Sequence, residues 1–160
     1  MGKLLLYTFI FLSFIGCSQK IALKDLDMSK AHELSIVNTR KAQLLSSNGA
    51  KVIIVATYLN PINVDFVDSD KENFLIGIYN ASENSSGANP LYKITLNKSV
   101  NLESIKKIDP KSKYLKIIPL VNKWADYYLL EFPRQDSKKL VLSFENSEHA
   151  KALLNFEKEF

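Results

Sequence analysis

Ala42-Gln43-Leu44-Leu45-Ser46-Ser47-Asn48-Gly49-Ala50-Lys51-Val52-Ile53-Ile54-Val55-Ala56-Thr57-Tyr58-Leu59 is the stretch that decides the fold. Two apolar runs, the second rich in β-branched residues, flank a short polar stretch. Asn48-Gly49 supplies the positive φ angles that a tight turn between antiparallel strands demands. The stretch reads as a β-hairpin. Pro61 closes its second strand, because proline has no N–H to give to a central ladder.

The same grammar repeats downstream. Phe74 to Asn80 sets Phe74, Ile76 and Ile78 on one face and Leu75, Gly77 and Tyr79 on the other. Both faces are largely apolar, which places this strand in the middle of a sheet. Asn80 to Pro90 has the composition of an exposed loop, and Leu91 to Asn97 follows with Tyr92, Ile94 and Leu96 alternating against Lys93 and Thr95. The pair predicts a long-looped hairpin. Further strands are expected at Tyr114 to Pro119, Trp124 to Phe132 and Leu140 to Glu145. A last one has Ala152, Leu154 and Phe156 alternating with Leu153, Asn155 and Glu157. Ser147 to Leu154 has a competing reading as a short helix with Ser147 as its N-cap. Seven or eight strands predict an all-β, two-sheet antiparallel sandwich, since stacked sheets bury faces that a single sheet would expose. It resembles immunoglobulin-like domains in strand count and spacing but lacks their Cys–Trp–Cys signature.

Upstream of the hairpin the chain changes character twice. Ser18 to about Lys30 mixes Lys20, Lys24, Asp25, Asp27 and Lys30 with scattered apolar residues and reads as a tether, against a competing short helix from Asp25 to Leu34. Before it, Lys3 precedes an apolar run from Leu4 to Ile15 that is broken only by Thr8 and Ser13. A spanning helix needs about 20 apolar residues, so this shorter run reads as a secretion signal. At Phe14-Ile15-Gly16-Cys17 the sequence resembles the lipobox of bacterial lipoprotein precursors, with Phe14 in place of the preferred Leu. The resemblance implies cleavage between Gly16 and Cys17, acylation of the Cys17 thiol, and membrane lipid as a partner through that anchor. Ser18 and Gln19, in place of an Asp after the Cys, imply sorting to the outer membrane with the domain facing the periplasm. The domain organisation expected is a signal peptide over 1–16, a lipidated tether over 17–30 and a sandwich over 31–160.

Composition excludes several chemistries. The chain has 160 residues, 46% of them hydrophobic, which is one domain's worth and no disordered chain. The 21 basic and 17 acidic residues are spread along it, so no nucleic-acid partner is expected. Two His and one Cys are too few for a structural zinc site, and a lone Cys forms no internal disulfide. With Cys17 acylated there is no thiol left for catalysis. The glycines, Gly2, Gly16, Gly49, Gly77 and Gly87, write neither a nucleophile elbow nor a phosphate-cradling loop. Asp68, Asp70 and Glu72 begin a calcium-loop pattern that fails at Asn73 and Tyr79, where Gly and Glu are required, so the segment reads as a solvated loop with no metal. His32 and His149 read as surface histidines.

No catalytic residue and no cofactor are therefore expected, and the function expected is a non-catalytic interaction or envelope-assembly module with an envelope protein as partner. An edge strand, or Asn84-Ser85-Ser86-Gly87 in the long loop, is the expected contact. A small envelope hydrolase or saccharide-binding protein using carboxylates and the Trp124, Tyr127 and Tyr128 aromatics is the alternative. On strand periodicity, however, Trp124, Tyr128, Leu130 and Phe132 share one face of a core strand, with Tyr127 and Leu129 on the other. Lys106, Lys107, Lys111, Lys113 and Lys116 form the densest basic stretch, with Lys138 and Lys139 beyond, and read as solvated surface.

Overall fold

The computed structural model describes residues 29–45, 51–62, 64–80 and 92–158. The segment 1–16 expected to be a signal peptide, Cys17, the expected Asn48-Gly49 turn and the loop residues Asn84 to Gly87 lie outside the described residues. A helix over residues 29–37 (α1) opens the described chain. The strands follow as β1 Thr39–Leu45, β2 Lys51–Tyr58, β3 Lys71–Asn80, β4 Lys93–Leu96, β5 Val100–Asn101, β6 Ser104–Ile108, β7 Asp126–Pro133, β8 Lys139–Glu145 and β9 Lys151–Glu157. Among the described residues no helix is long and apolar enough to cross a membrane.

The strands form two antiparallel sheets, ordered β1-β2-β3-β7-β6 and β5-β4-β8-β9. The expected hairpin is present as the β1–β2 pair, with Leu44 opposite Val52. β3 is central, between β2 and β7. Side-chain alternation along each strand sends Ile54, Ala56, Phe74, Ile76, Leu130 and Phe132 of the first sheet against Leu96, Leu142, Phe144, Leu154 and Phe156 of the second. Phe74 is the hub of this core, with ring centroids 5.1 Å from Tyr58, 5.2 Å from Phe156 and 6.0 Å from Phe132. Each such fully buried side chain contributes about 1.5–3 kcal/mol.

Because β3 and β7 are apolar on both faces, the first sheet needs a second cover. Leu75, Tyr127 and Leu129 of its outer face pack with Leu59, Ile62, Leu115, Ile117 and Ile118, and Ala31 and Leu34 of α1 join them. Asn38 ends α1 by donating its backbone N–H and its amide to Leu34 O. The helix takes residues expected to lie in the tether and at the start of the sandwich. Over residues 29–34 it coincides with the competing short helix, whose apolar stripe of Ala31 and Leu34 is too short to decide against a tether until the sheet beneath it is known.

Two expectations are corrected, and two strands are added. β3 and β4 are not a hairpin: β3 pairs with β2 and β7, whereas β4 pairs with β5 and β8, so the connection between them joins the two sheets. Alternation gives β4 an apolar face but does not choose its neighbour. Tyr114 to Pro119 is not a strand but a 3-10 helix, Lys113–Lys116, followed by bends. Asp109 Oδ1 accepts from Lys111 N at 2.7 Å and Ser112 Oγ from Tyr114 N at 3.3 Å, turning the chain before a ladder can form. β5 and β6 were not anticipated, the lysines of β6 having masked its alternation. In contrast, Ser147 to Leu154 forms no helix, and β9 keeps the expected faces, with Ala152, Leu154 and Phe156 inward.

Candidate functional site

Two features depart from a plain sandwich. One is a buried ionic cluster; the other is an exposed apolar tip.

Glu72 lies on the inward row of β3 with Phe74, Ile76 and Ile78, and it is 0% exposed. Lys158, just beyond β9, continues the inward row of Ala152, Leu154 and Phe156, and its side chain is 7% exposed. The two meet at the end of the core, Lys158 Nζ to Glu72 Oε1 at 2.5 Å. Lys158 also donates to Gln135 O. Tyr58 donates its hydroxyl to Glu72 Oε2 at 2.7 Å, Gln135 N donates to Oε1 at 2.8 Å, and Arg134 Nε stands 3.7 Å away. Burial is the largest single influence on Glu72 and pushes its carboxyl up. The hydrogen bonds from Lys158, Tyr58 and Gln135, with the Lys158 charge, outweigh it and hold the group below its ordinary value. Burial, then the hydrogen bond to Glu72 and its negative charge, push the Tyr58 hydroxyl far above its own. Every group is satisfied within the cluster, so it joins the two sheets and keeps its carboxylate ionised.

Glu72 is thus no part of a solvated loop. Asp68 and Asp70 do form a turn, Asp68 Oδ1 accepting from Asp70 N at 3.0 Å. Asn73 is buried beside them, held by Asn60, Asp68 and Lys71. Among the described residues no group of three or more His, Cys, Asp or Glu side chains is gathered as a metal would require. His149 is exposed and pairs with Glu145 at 2.9 Å. His32 is exposed on α1 with Nδ1 3.0 Å from Ile117 O, and because a carbonyl only accepts, Nδ1 carries the proton.

The tip comes from the segment after the 3-10 helix. Trp124, expected in a core strand, is 70% exposed and precedes β7, while Tyr127 and Tyr128 are buried on opposite faces of that strand. The three aromatics therefore make no common platform. The reason is local. Asn122 Oδ1 accepts from Trp124 N at 2.9 Å and Asn122 O from Ala125 N at 3.1 Å, so the chain turns through Trp124 before extending. Leu120 is 65% and Val121 50% exposed, and Leu120 sits at φ 60, a left-handed conformation unusual for a bulky side chain.

This tip is firmly built. The Tyr127 hydroxyl accepts from Asn122 N at 2.6 Å and donates to Asn122 O at 3.1 Å. On its other side the buried Ser35 hydroxyl of α1 reaches Ile117 O at 2.7 Å, alongside His32. Lys111, Lys113, Lys116 and Lys123 belong to the same segment and are all exposed, with Lys123 Nζ 4.8 Å from the centroid of the Trp124 ring. Lys106 and Lys107 instead project from edge strand β6, where Lys107 pairs with Asp126 at 2.8 Å. Exposure of Lys138 and Lys139 agrees with the solvated surface expected of them. Asn122 beside an apolar run was the available sequence signal for the tip, and it was outweighed by the strand-like spacing of the aromatics.

Set against known protein families, curated proteins and solved structures, the chain matches none of them.

Proposed function

We propose that this chain is an envelope lipoprotein, acylated on Cys17, sorted to the outer membrane and facing the periplasm, whose sandwich acts without catalysis as an interaction module. The anchor rests on Phe14-Ile15-Gly16-Cys17 after the apolar run. The module reading is carried by one observation: Leu120, Val121 and Trp124 are held out toward solvent by a hydrogen-bonded turn. A protein gains nothing for its own stability by fixing apolar side chains in water, and such a patch marks a contact surface. The strongest ionisable cluster, around Glu72, is saturated by its own neighbours, which suits a structural role.

Metabolic labelling with a palmitate analogue tests the anchor. Wild type should take up label, and Cys17→Ser should lose it and accumulate uncleaved precursor. Equal labelling of the two would refute the lipoprotein reading. Changing Leu120 and Val121 to Asp should impair the cellular role of the protein with folding intact, whereas His32→Ala with His149→Ala should leave it unchanged. The reverse pattern would refute the non-catalytic reading.

A further inference from the structure

We propose that the Leu120, Val121 and Trp124 tip docks on an anionic lipid surface, that of the membrane holding the anchor, so that the sandwich lies against the bilayer in one orientation. The inference rests on the reading of Cys17 as an acyl anchor, and it names the partner of the tip.

Charge complementarity is the first argument. From Pro110 to Ala125 the chain carries Lys111, Lys113, Lys116 and Lys123 and no acid. Of the acids that bracket it, Asp126 is paired with Lys107 and Asp109 is turned onto Lys111 N. Exposed lysines that enter no ion pair among the described residues, in the segment that carries the exposed apolar side chains, match a bilayer boundary, where cations meet anionic headgroups and apolar side chains reach the acyl region. Trp is the side chain best suited to headgroup depth, its ring apolar and its N–H polar, and Lys123 lies over that ring.

Chain length is the second argument. Eleven residues separate Cys17 from Ser29, at which the described part of α1 begins. Fully extended they span no more than about 40 Å. Ser35 and His32 of α1 both contact Ile117 O, so the chain joins the folded unit beside the segment that carries the tip. An anchored domain on so short a lead meets the membrane constantly. Three exposed apolar side chains are also too few for a specific protein interface, which buries about 1,200–2,000 Å².

The chain contains a single Trp, so its fluorescence reports position 124 alone. Full-length protein would be reconstituted into vesicles of phosphatidylcholine, or of phosphatidylcholine with phosphatidylglycerol, with and without brominated acyl chains. On the anionic vesicles the emission should shift to the blue and be quenched by bromine. On the neutral ones it should stay red-shifted and open to acrylamide. High salt, Lys116→Glu with Lys123→Glu, and Leu120→Asp with Val121→Asp should each abolish the shift with the circular dichroism unchanged. Emission that remains acrylamide-accessible on anionic vesicles, or bromine quenching that is equal on both, overturns the proposal. Mass spectrometry of the same sample reads Cys17 independently. Acylated Cys17 with a water-exposed Trp124 refutes docking alone, and unmodified Cys17 with a quenched Trp124 refutes the anchor alone.

Discussion

Glu72 and Lys158, 86 positions apart in the chain, form a buried ion pair that closes one end of the inter-sheet core. Each terminates the inward row of its own strand, and they come from opposite sheets. The pair therefore reports whether the sheets are stacked in register.

Removing one partner should be costly. Lys158→Met leaves the buried Glu72 carboxylate with the Tyr58 and Gln135 donors but without its principal cation, and should destabilise the domain by about 3–5 kcal/mol. Glu72→Gln in addition should recover a substantial part, because the uncompensated charge disappears. Urea denaturation of both single variants and the double one measures this. Additive losses would show that the pair does not couple the sheets.

The pair also sets an acid limit. The folded state holds the Glu72 pKa below its ordinary value. Its contribution is present above the unfolded-state value of about 4.3 and is lost as pH falls through the folded one. Tyr58 works in the opposite sense: its folded pKa is raised, so its contribution is present below about 10 and is lost as pH rises beyond that. Stability against pH should be a plateau with both shoulders. Glu72→Gln should flatten the acid shoulder, and phenolate absorbance should show one tyrosine ionising only with unfolding. An unchanged acid shoulder in Glu72→Gln would contradict the assignment.

Leu120 bears a conformational cost for a side chain that is mostly in solvent. At φ 60 an L-residue carries about 1–2 kcal/mol of strain that Gly does not. Glycine's greater freedom in the unfolded chain takes back roughly half of that. Leu120→Gly should therefore raise stability by a few tenths to about 1 kcal/mol while weakening lipid quenching of Trp124. The denaturation midpoint checks the first effect, and a clear drop would mean that Leu120 is kept for packing.

Gly77 lies opposite Tyr127 in the β3–β7 ladder, and a Cβ there would stand 2.8 Å from Tyr127 Cε1. Gly77→Ala must displace the ring, at about 1–3 kcal/mol. Because that ring's hydroxyl holds Asn122, Trp124 emission should change as well. A stability loss with unaltered Trp124 emission would show that the tip does not depend on Tyr127.

Much of the fold was legible locally. Apolar runs bounded by turn residues located β2, β3, β8 and β9, and alternation with period two sorted the two faces of β3 and of β9, because a pleated strand sends successive side chains to opposite faces. It also placed β3 centrally, since both of its faces are apolar. The same parity carried Glu72 and Lys158 inward, and their charge concealed it.

Pairing and coverage were decided only in three dimensions. Which strand lies beside β4, and whether Trp124 continues the face of Tyr128 or turns away from it, depends on neighbours distant in sequence and on one Asn122 turn. The cover of α1 and Ile117 over Leu75, Tyr127 and Leu129 arises in the same way. Local sequence determines which faces must leave water. The tertiary structure determines what meets them, because burial is non-directional and any apolar surface of matching shape satisfies it.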